Sequence, residues 1–161
     1  MNRKIEVTSS LEVIPIGLLT EQESKLIAKA KEILESAHAP YSRFFVGAAV
    51  LLENGEIFAA NNQENVSFPV GICAERAVLS YVMGNFPHLK PLKIAIAARR
   101  QDQSRYAYVT PCGMCRQTIN EYEMKFGEKI EILMLNGDEE ILKADGIEQL
   151  LPFRFHNFRS E

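Results

Sequence analysis

The chain of 161 residues fits one domain over 1–161, with no stretch that reads as a linker, and a domain of this size buries roughly 70% of the surface its unfolded chain exposes. With 47% hydrophobic and 24% charged residues the composition is that of a soluble globular protein, and no apolar run approaches the ~18 residues of a membrane span. A net charge of −3 with scattered Lys and Arg argues against nucleic-acid binding, which needs a basic stripe, and suits a small, weakly charged substrate.

The first residues, Met1–Glu6, include basic residues but no following apolar core of a secretory leader, so the cytoplasm is the expected compartment. Residues 1–19 mix polar and β-branched types and read as a strand or a loose arm. A first helix is expected from Thr20, because Thr20-Glu21-Gln22-Glu23 is a capping box and Leu26, Ile27, Ala30, Ile33, Leu34 and Ala37 recur at helical spacing. Pro40 ends that pattern.

Val46–Leu52 is apolar on both faces and predicts a strand covered on both sides, returned antiparallel through Asn54-Gly55 as residues 56–60. A second helix is expected over 73–83, with Ala74, Ala77, Val78, Tyr81 and Val82 on one side and Gly84 as its terminator. A third strand covers 92–98. A third helix starts near Cys112 with Cys115, Ile119, Tyr122 and Phe126 on one face and ends at Gly127, and a fourth strand covers 130–135. This rhythm describes a layered α/β domain with a mixed sheet flanked by helices.

Two short segments carry the chemistry: Cys73-Ala74-Glu75 and Pro111-Cys112-Gly113-Met114-Cys115, each where a loop enters a helix. Cys112 and Cys115, three residues apart, present both sulfurs on one side of a first helical turn. With Cys73 at the start of a neighbouring helix, three thiolates can converge. Helix N-termini favour negative charge and so prepare thiols as ligands, and soft thiolates select zinc. The three cysteines, an odd number, also fit a reducing compartment.

Three protein ligands rather than four mark a catalytic zinc site, which keeps a position open for water. His38, His88 and His156 remain as candidate fourth ligands, although none has ligand spacing to the cysteines. Glu75, two residues after Cys73, is suited to act as a base beside the metal; alone it would read as a carboxylate complementing a helix dipole. The combined Cys-Ala-Glu and Pro-Cys-x-x-Cys pattern is that of the zinc deaminases, in its three-cysteine form.

Over Ala39–Phe155 the sequence resembles the cytidine deaminase family, in its small, three-cysteine, homotetrameric branch, with a three-layer cytidine-deaminase-like fold. The resemblance rests on Ala39–Ala49, Asn62-Gln63-Glu64-Asn65, Gly71–Ala77, Pro111–Gln117 and Leu150–Phe155. It implies hydrolytic, zinc-dependent deamination of cytidine and 2′-deoxycytidine to uridine and 2′-deoxyuridine with release of ammonia, as in pyrimidine salvage. Phe44 would pack on the pyrimidine, Asn62 and Glu64 would bond the sugar hydroxyl, and the backbone of Ala74 would contact the base carbonyl. Phe155 would reach a neighbouring subunit's site, which implies a homotetramer with shared active sites.

Arg76 would bond the cysteine sulfurs and offset the charge of three thiolates, which leaves zinc with a net −1. Without the family, Phe44 reads as core packing, Phe155 as a local apolar cap and Arg76 as a surface residue. Four positions depart from the family pattern: Phe45, Ala60, Gln63 and Met114. The competing readings are a structural zinc module, a deaminase of another amine-bearing ring, and a polynucleotide-editing deaminase. The open ligand count, the Asn62-x-Glu64 pair and the acidic balance argue against them in turn.

Overall fold

A computed structural model describes residues 2–155. The elements follow in the order β1 (Glu12–Pro15), α1 (Glu21–Leu34), β2 (Phe44–Leu52), β3 (Ile57–Asn61), α2 (Ala74–Asn85), β4 (Pro91–Arg100), α3 (Gly113–Phe126), β5 (Glu131–Asn136) and β6 (Glu140–Asp145). The strands form one six-stranded sheet in the order β1-β6-β5-β4-β2-β3. Among these strands only β4 and β5 run parallel, and α3 supplies the crossover that a parallel pair requires.

Alternation along the strands divides the core in two. Ala49, Leu51, Ala95, Ala97, Leu133 and Leu135 face α1, which buries Leu26, Ile27, Ala30 and Leu34 against them. Ala48, Val50, Ile94, Ile96, Ile132 and Met134 point the other way, toward Val78, Leu79 and Val82 of α2 and Ile119 of α3. The result is the expected three layers. It sets the N-termini of α2 and α3 on the same face of the sheet.

Gly47 explains how closely α1 lies on β2. A Cβ there would stand 2.0 Å from the Ala30 carbonyl oxygen and 2.9 Å from the Leu34 nitrogen, so the helix backbone occupies the space a side chain would need. At the other end of α1, Thr20 and Glu23 form the capping box, with the Thr20 backbone N–H and hydroxyl both donating to Glu23 Oε2 (3.0 and 2.8 Å). Glu23 Oε1 accepts from Lys93 Nζ at 2.8 Å, and Lys93 and Lys143 both reach Glu131. One carboxylate thus caps the helix and ties it to the sheet.

The helix and strand limits differ from expectation in ways that local chemistry explains. α1 stops at Leu34, where the chain tightens into i→i+3 bonds: the N–H groups of Glu35, Ser36 and Ala37 donate to the carbonyls of Glu32, Ile33 and Leu34 at 3.3, 3.3 and 3.0 Å. α2 runs through Gly84 to Asn85; that glycine keeps helical geometry and does not end the helix. Tyr81 is exposed, while Leu79 and Met83 take the core positions. β6 was not expected: Asn136-Gly137, with Gly137 at φ 69°, turns the chain just as Asn54-Gly55 does, but Lys143 and the acidic ends disguise the strand. The arm before Thr20 contributes β1, an edge strand on β6. No helix among the described residues is long and apolar enough to cross a membrane.

Two outcomes follow from these contacts. Gly47→Ala must move α1 or β2, and is expected to destabilise the fold by about 2 kcal/mol or more; an unchanged denaturation midpoint would show that the helix is not held there. Burial opposes ionisation of Glu23, but the bonds from Lys93 and Thr20 and the charge of Lys93 outweigh it and hold the carboxyl at about 2, against 4.5 for a free one. Its folded pKa is depressed, so its contribution is complete above the unfolded value and is lost as pH falls from 4.5 toward 2. Stability measured over that range should fall less steeply in Glu23→Gln than in the wild type.

Candidate metal centre and catalytic cleft

Cys73 is the N-cap of α2 and Cys112 the N-cap of α3, and neither uses its side chain to satisfy the orphan N–H groups of its helix. Cys115 sits in the first turn of α3 and is fully buried. The sulfurs of Cys73 and Cys112 are 3.8 Å apart, those of Cys112 and Cys115 3.4 Å, and all three lie within 4.8 Å of one another. A tetrahedral zinc with bonds of about 2.3 Å places its sulfurs about 3.8 Å apart, which the Cys73–Cys112 separation matches and the Cys112–Cys115 separation of 3.4 Å approaches. Soft donors at two positive helix ends match that ion chemically as well.

No histidine or carboxylate joins the trio among the described residues, which leaves His38 and His88 outside it; His156 lies outside the described residues. The described residues therefore offer three sulfur ligands and no fourth. Hydrogen bonding with Cys115 lowers the Cys73 thiol to about 6 against the opposing effect of burial, and Cys112 and the charge of Arg76 act in the same direction. The Cys115 thiol moves the other way, raised by that same bond with Cys73, by burial and by the nearby Glu75.

Glu75, the second residue of α2, is only 5% exposed and sits beside this trio in a cleft of about 310 Å³. Burial pushes its carboxyl upward, and the Cys73 charge adds to the effect. A carboxyl with raised proton affinity next to a metal position can take and return a proton. The cleft is also lined by Phe44, Asn62, Glu64 and Ala74, so four of the five expected substrate contacts converge with Cys73, Cys112 and Glu75.

Asn62 is already bonded to the start of β2, and Glu64 to the segment just before it. Asn62 Oδ1 accepts from the Val46 N–H (2.8 Å), its Nδ2 donates to the Phe44 carbonyl (3.0 Å), and Glu64 Oε2 accepts from the N–H groups of Tyr41 (2.9 Å) and Ser42 (3.3 Å). Arg43, within that segment, has φ 54°, a left-handed conformation that costs a non-glycine residue on the order of 1 kcal/mol.

Phe155 does not line its own chain's cleft and is 62% exposed. The segment leading to it is fastened to one face of α3. The Phe155 carbonyl accepts from Asn120 Nδ2 at 2.8 Å, and Arg154 pairs with Glu123 at 3.0 Å. Arg76 acts on Cys73 through its charge, and among the described residues it forms no hydrogen bond to a sulfur. Of the four departures, Gln63 lines the cleft and donates to Asn61 Oδ1 at 2.6 Å, whereas Met114 is exposed and does not line it.

Reading the sequence alone overlooked Arg116, Phe68, Val109 and Thr110. The Arg116 guanidinium donates to the carbonyls of Pro111 (2.7 Å) and Leu150 (2.6 Å) and to Thr110 Oγ1 (3.0 Å), which holds the entry to the Cys112 turn. Its place directly after Cys115 was the available signal. Phe68, against Tyr41 with ring centroids 5.4 Å apart, and Val109 and Thr110 complete the cleft wall from loops that have no periodicity.

Comparison with known proteins agrees with this geometry. The family described as "Cytidine and deoxycytidylate deaminase zinc-binding region" matches residues 20–126. A probable cytidine deaminase of Dictyostelium discoideum is 35% identical over 136 residues, 84% of each chain. A cytidine deaminase of Sporosarcina psychrophila is 36% identical over 81% of this chain and 89% of its own. The crystal structure of cytidine deaminase from Burkholderia pseudomallei superposes with a TM-score of 0.68 at 30% identity, covering 85% of this chain and 100% of that one.

The purified protein is expected to carry one zinc per chain by elemental analysis, and Cys112→Ser to lose most of it. Full zinc in that variant would contradict the three-sulfur site.

Proposed function

This chain belongs to the cytidine and deoxycytidylate deaminase zinc-binding family, and on that premise we propose that it hydrolyses cytidine and 2′-deoxycytidine to uridine and 2′-deoxyuridine, releasing ammonia. The observation that carries the reading is one arrangement: three sulfurs within 4.8 Å at a cleft of nucleoside size, with a buried carboxyl beside them. Zinc held by Cys73, Cys112 and Cys115 supplies a Lewis acid that lowers the pKa of water toward neutrality.

The remaining work falls to side chains and backbone. Glu75 accepts a proton from the attacking water and delivers it to N3 of the ring, which makes C4 electrophilic. It then takes the remaining proton of the added water from the C4 hydroxyl and passes it to the exocyclic amine, so that the C4–N bond breaks, ammonia departs and C4 gains a carbonyl. Water is consumed and ammonia released, and Glu75 ends in its starting state. Raised proton affinity from burial suits it to both transfers.

Phe44 packs on the face of the pyrimidine. Ala74, the first residue of α2, has a backbone N–H with no acceptor inside the helix, and this N–H is free to donate to the base carbonyl. Asn62 and Glu64 bond the sugar hydroxyl, the polar contact by which a site separates a nucleoside from a free base. The positive charge of Arg76 and the two helix ends offset the three thiolates.

Residues 1–161 act as one domain in the cytoplasm, in recovery of pyrimidine nucleosides, with neither nucleic acid nor membrane as partner. The assembly is a homotetramer in which Phe155 enters a neighbour's cleft. What supports this is an aromatic side chain left exposed while its backbone is fastened to α3.

With zinc-loaded protein, both nucleosides should be turned over, detected by the absorbance change of deamination, and free cytosine far more slowly. Zinc-loaded enzyme inactive on both nucleosides would defeat the reading. Glu75→Gln should keep its zinc and lose roughly a thousandfold or more in kcat. Near-normal turnover in that variant would remove Glu75 from the proton path.

A further inference from the structure

The ladder between β3 and β2 ends at the pair Gly47↔Asn61, although β2 continues to Phe44 along its other edge with β4. Asn62 covers the edge that β3 leaves bare. Its N–H donates to the Val46 carbonyl at 3.1 Å, its Oδ1 accepts from the Val46 N–H and its Nδ2 donates to the Phe44 carbonyl, so a side chain stands in for a strand residue. Two residues on, one carboxylate oxygen of Glu64 gathers the N–H groups of Tyr41 and Ser42. Between these anchors lies Arg43, the one non-glycine residue at positive φ among the described residues.

We propose that Asn62 and Glu64 have a second task that needs no ligand: they brace the strained 41–46 segment and so set the position of Phe44 in the cleft. The proposal rests on the nucleoside reading above. A carboxamide has two N–H groups and two lone pairs; one of each is committed to β2, and one of each remains for a sugar hydroxyl. Glu64 likewise takes both backbone N–H groups of the segment on one oxygen, Oε2. A residue serving the sugar alone would have no need of three bonds to the strand that begins with Phe44. The brace couples the two ends of the substrate, because the side chains that meet the sugar also hold the wall that meets the base.

The test separates positioning from sugar binding. Asn62→Ala and Asn62→Asp, each alone and combined with Phe44→Leu, are assayed as zinc-loaded enzymes with cytidine as substrate. The competing ligand is 2′,3′-dideoxycytidine, which lacks the ring hydroxyls that Asn62 would meet. Asn62→Ala is expected to weaken the dideoxynucleoside about tenfold, and by less than about threefold where Phe44 is already Leu, since residues that act through one another are not additive. Asn62→Asp keeps the acceptor for Val46 N–H and loses the donor to the Phe44 carbonyl, and should fall between wild type and Asn62→Ala. The comparison rests on the Asp variant if the Ala variant fails to fold or load zinc.

Dideoxynucleoside affinity unchanged while the KM for cytidine rises would overturn the brace and leave the substrate assignment intact. Fully additive losses with Phe44→Leu would overturn it too. A wild-type enzyme that binds neither nucleoside would instead defeat the reading on which the brace rests, and needs no variant to be seen.

Discussion

Three sulfurs held within 4.8 Å are a concentration of negative charge, once deprotonated, that no protein keeps without compensation. The fold is arranged around that constraint. Two helices start on the same face of one sheet, with ligands Cys73 and Cys112 as their N-caps and Cys115 in the first turn of α3, so the positive ends of both dipoles meet at the sulfurs. Arg76 adds a charge on one side, and Arg116 fixes the turn that carries Cys112 on the other. The apolar layer beneath, with Val78, Val82, Ile119 and Ile132, keeps the two helix starts in register.

The same arrangement produces the acid–base group. A carboxylate two residues into α2 points where the charge accumulates and where water is scarce, and both conditions raise its hold on a proton. Glu75 needs no special partner to be tuned; its position on the helix that supplies Cys73 is sufficient. Phe44, at the strained entry to β2, lines the same cleft, and Asn62 and Glu64 are bonded to that entry.

Much of this was legible in the residues. The capping box at Thr20 fixes where α1 begins, and the cysteines mark where α2 and α3 begin, because chemistry at a helix end leaves a local signature. What the chain order hides is long-range. Lys143 belongs to a strand because its ammonium reaches Glu131 and Glu23 across the sheet, not because its neighbours alternate. Gly84 continues a helix because Met83 and Val82 are held by the core, which overrides its propensity. The Arg116–Leu150 bond and the double bonding of Asn62 show only when residues 16 to 34 positions apart are brought together.

The central claim is an open zinc site built from three thiolates. X-ray absorption at the zinc edge of the purified enzyme tests it most directly. Three sulfur scatterers at about 2.3 Å and one oxygen or nitrogen at about 2.0 Å are expected. A shell filled by four protein ligands, or zinc bound without sulfur, would contradict it.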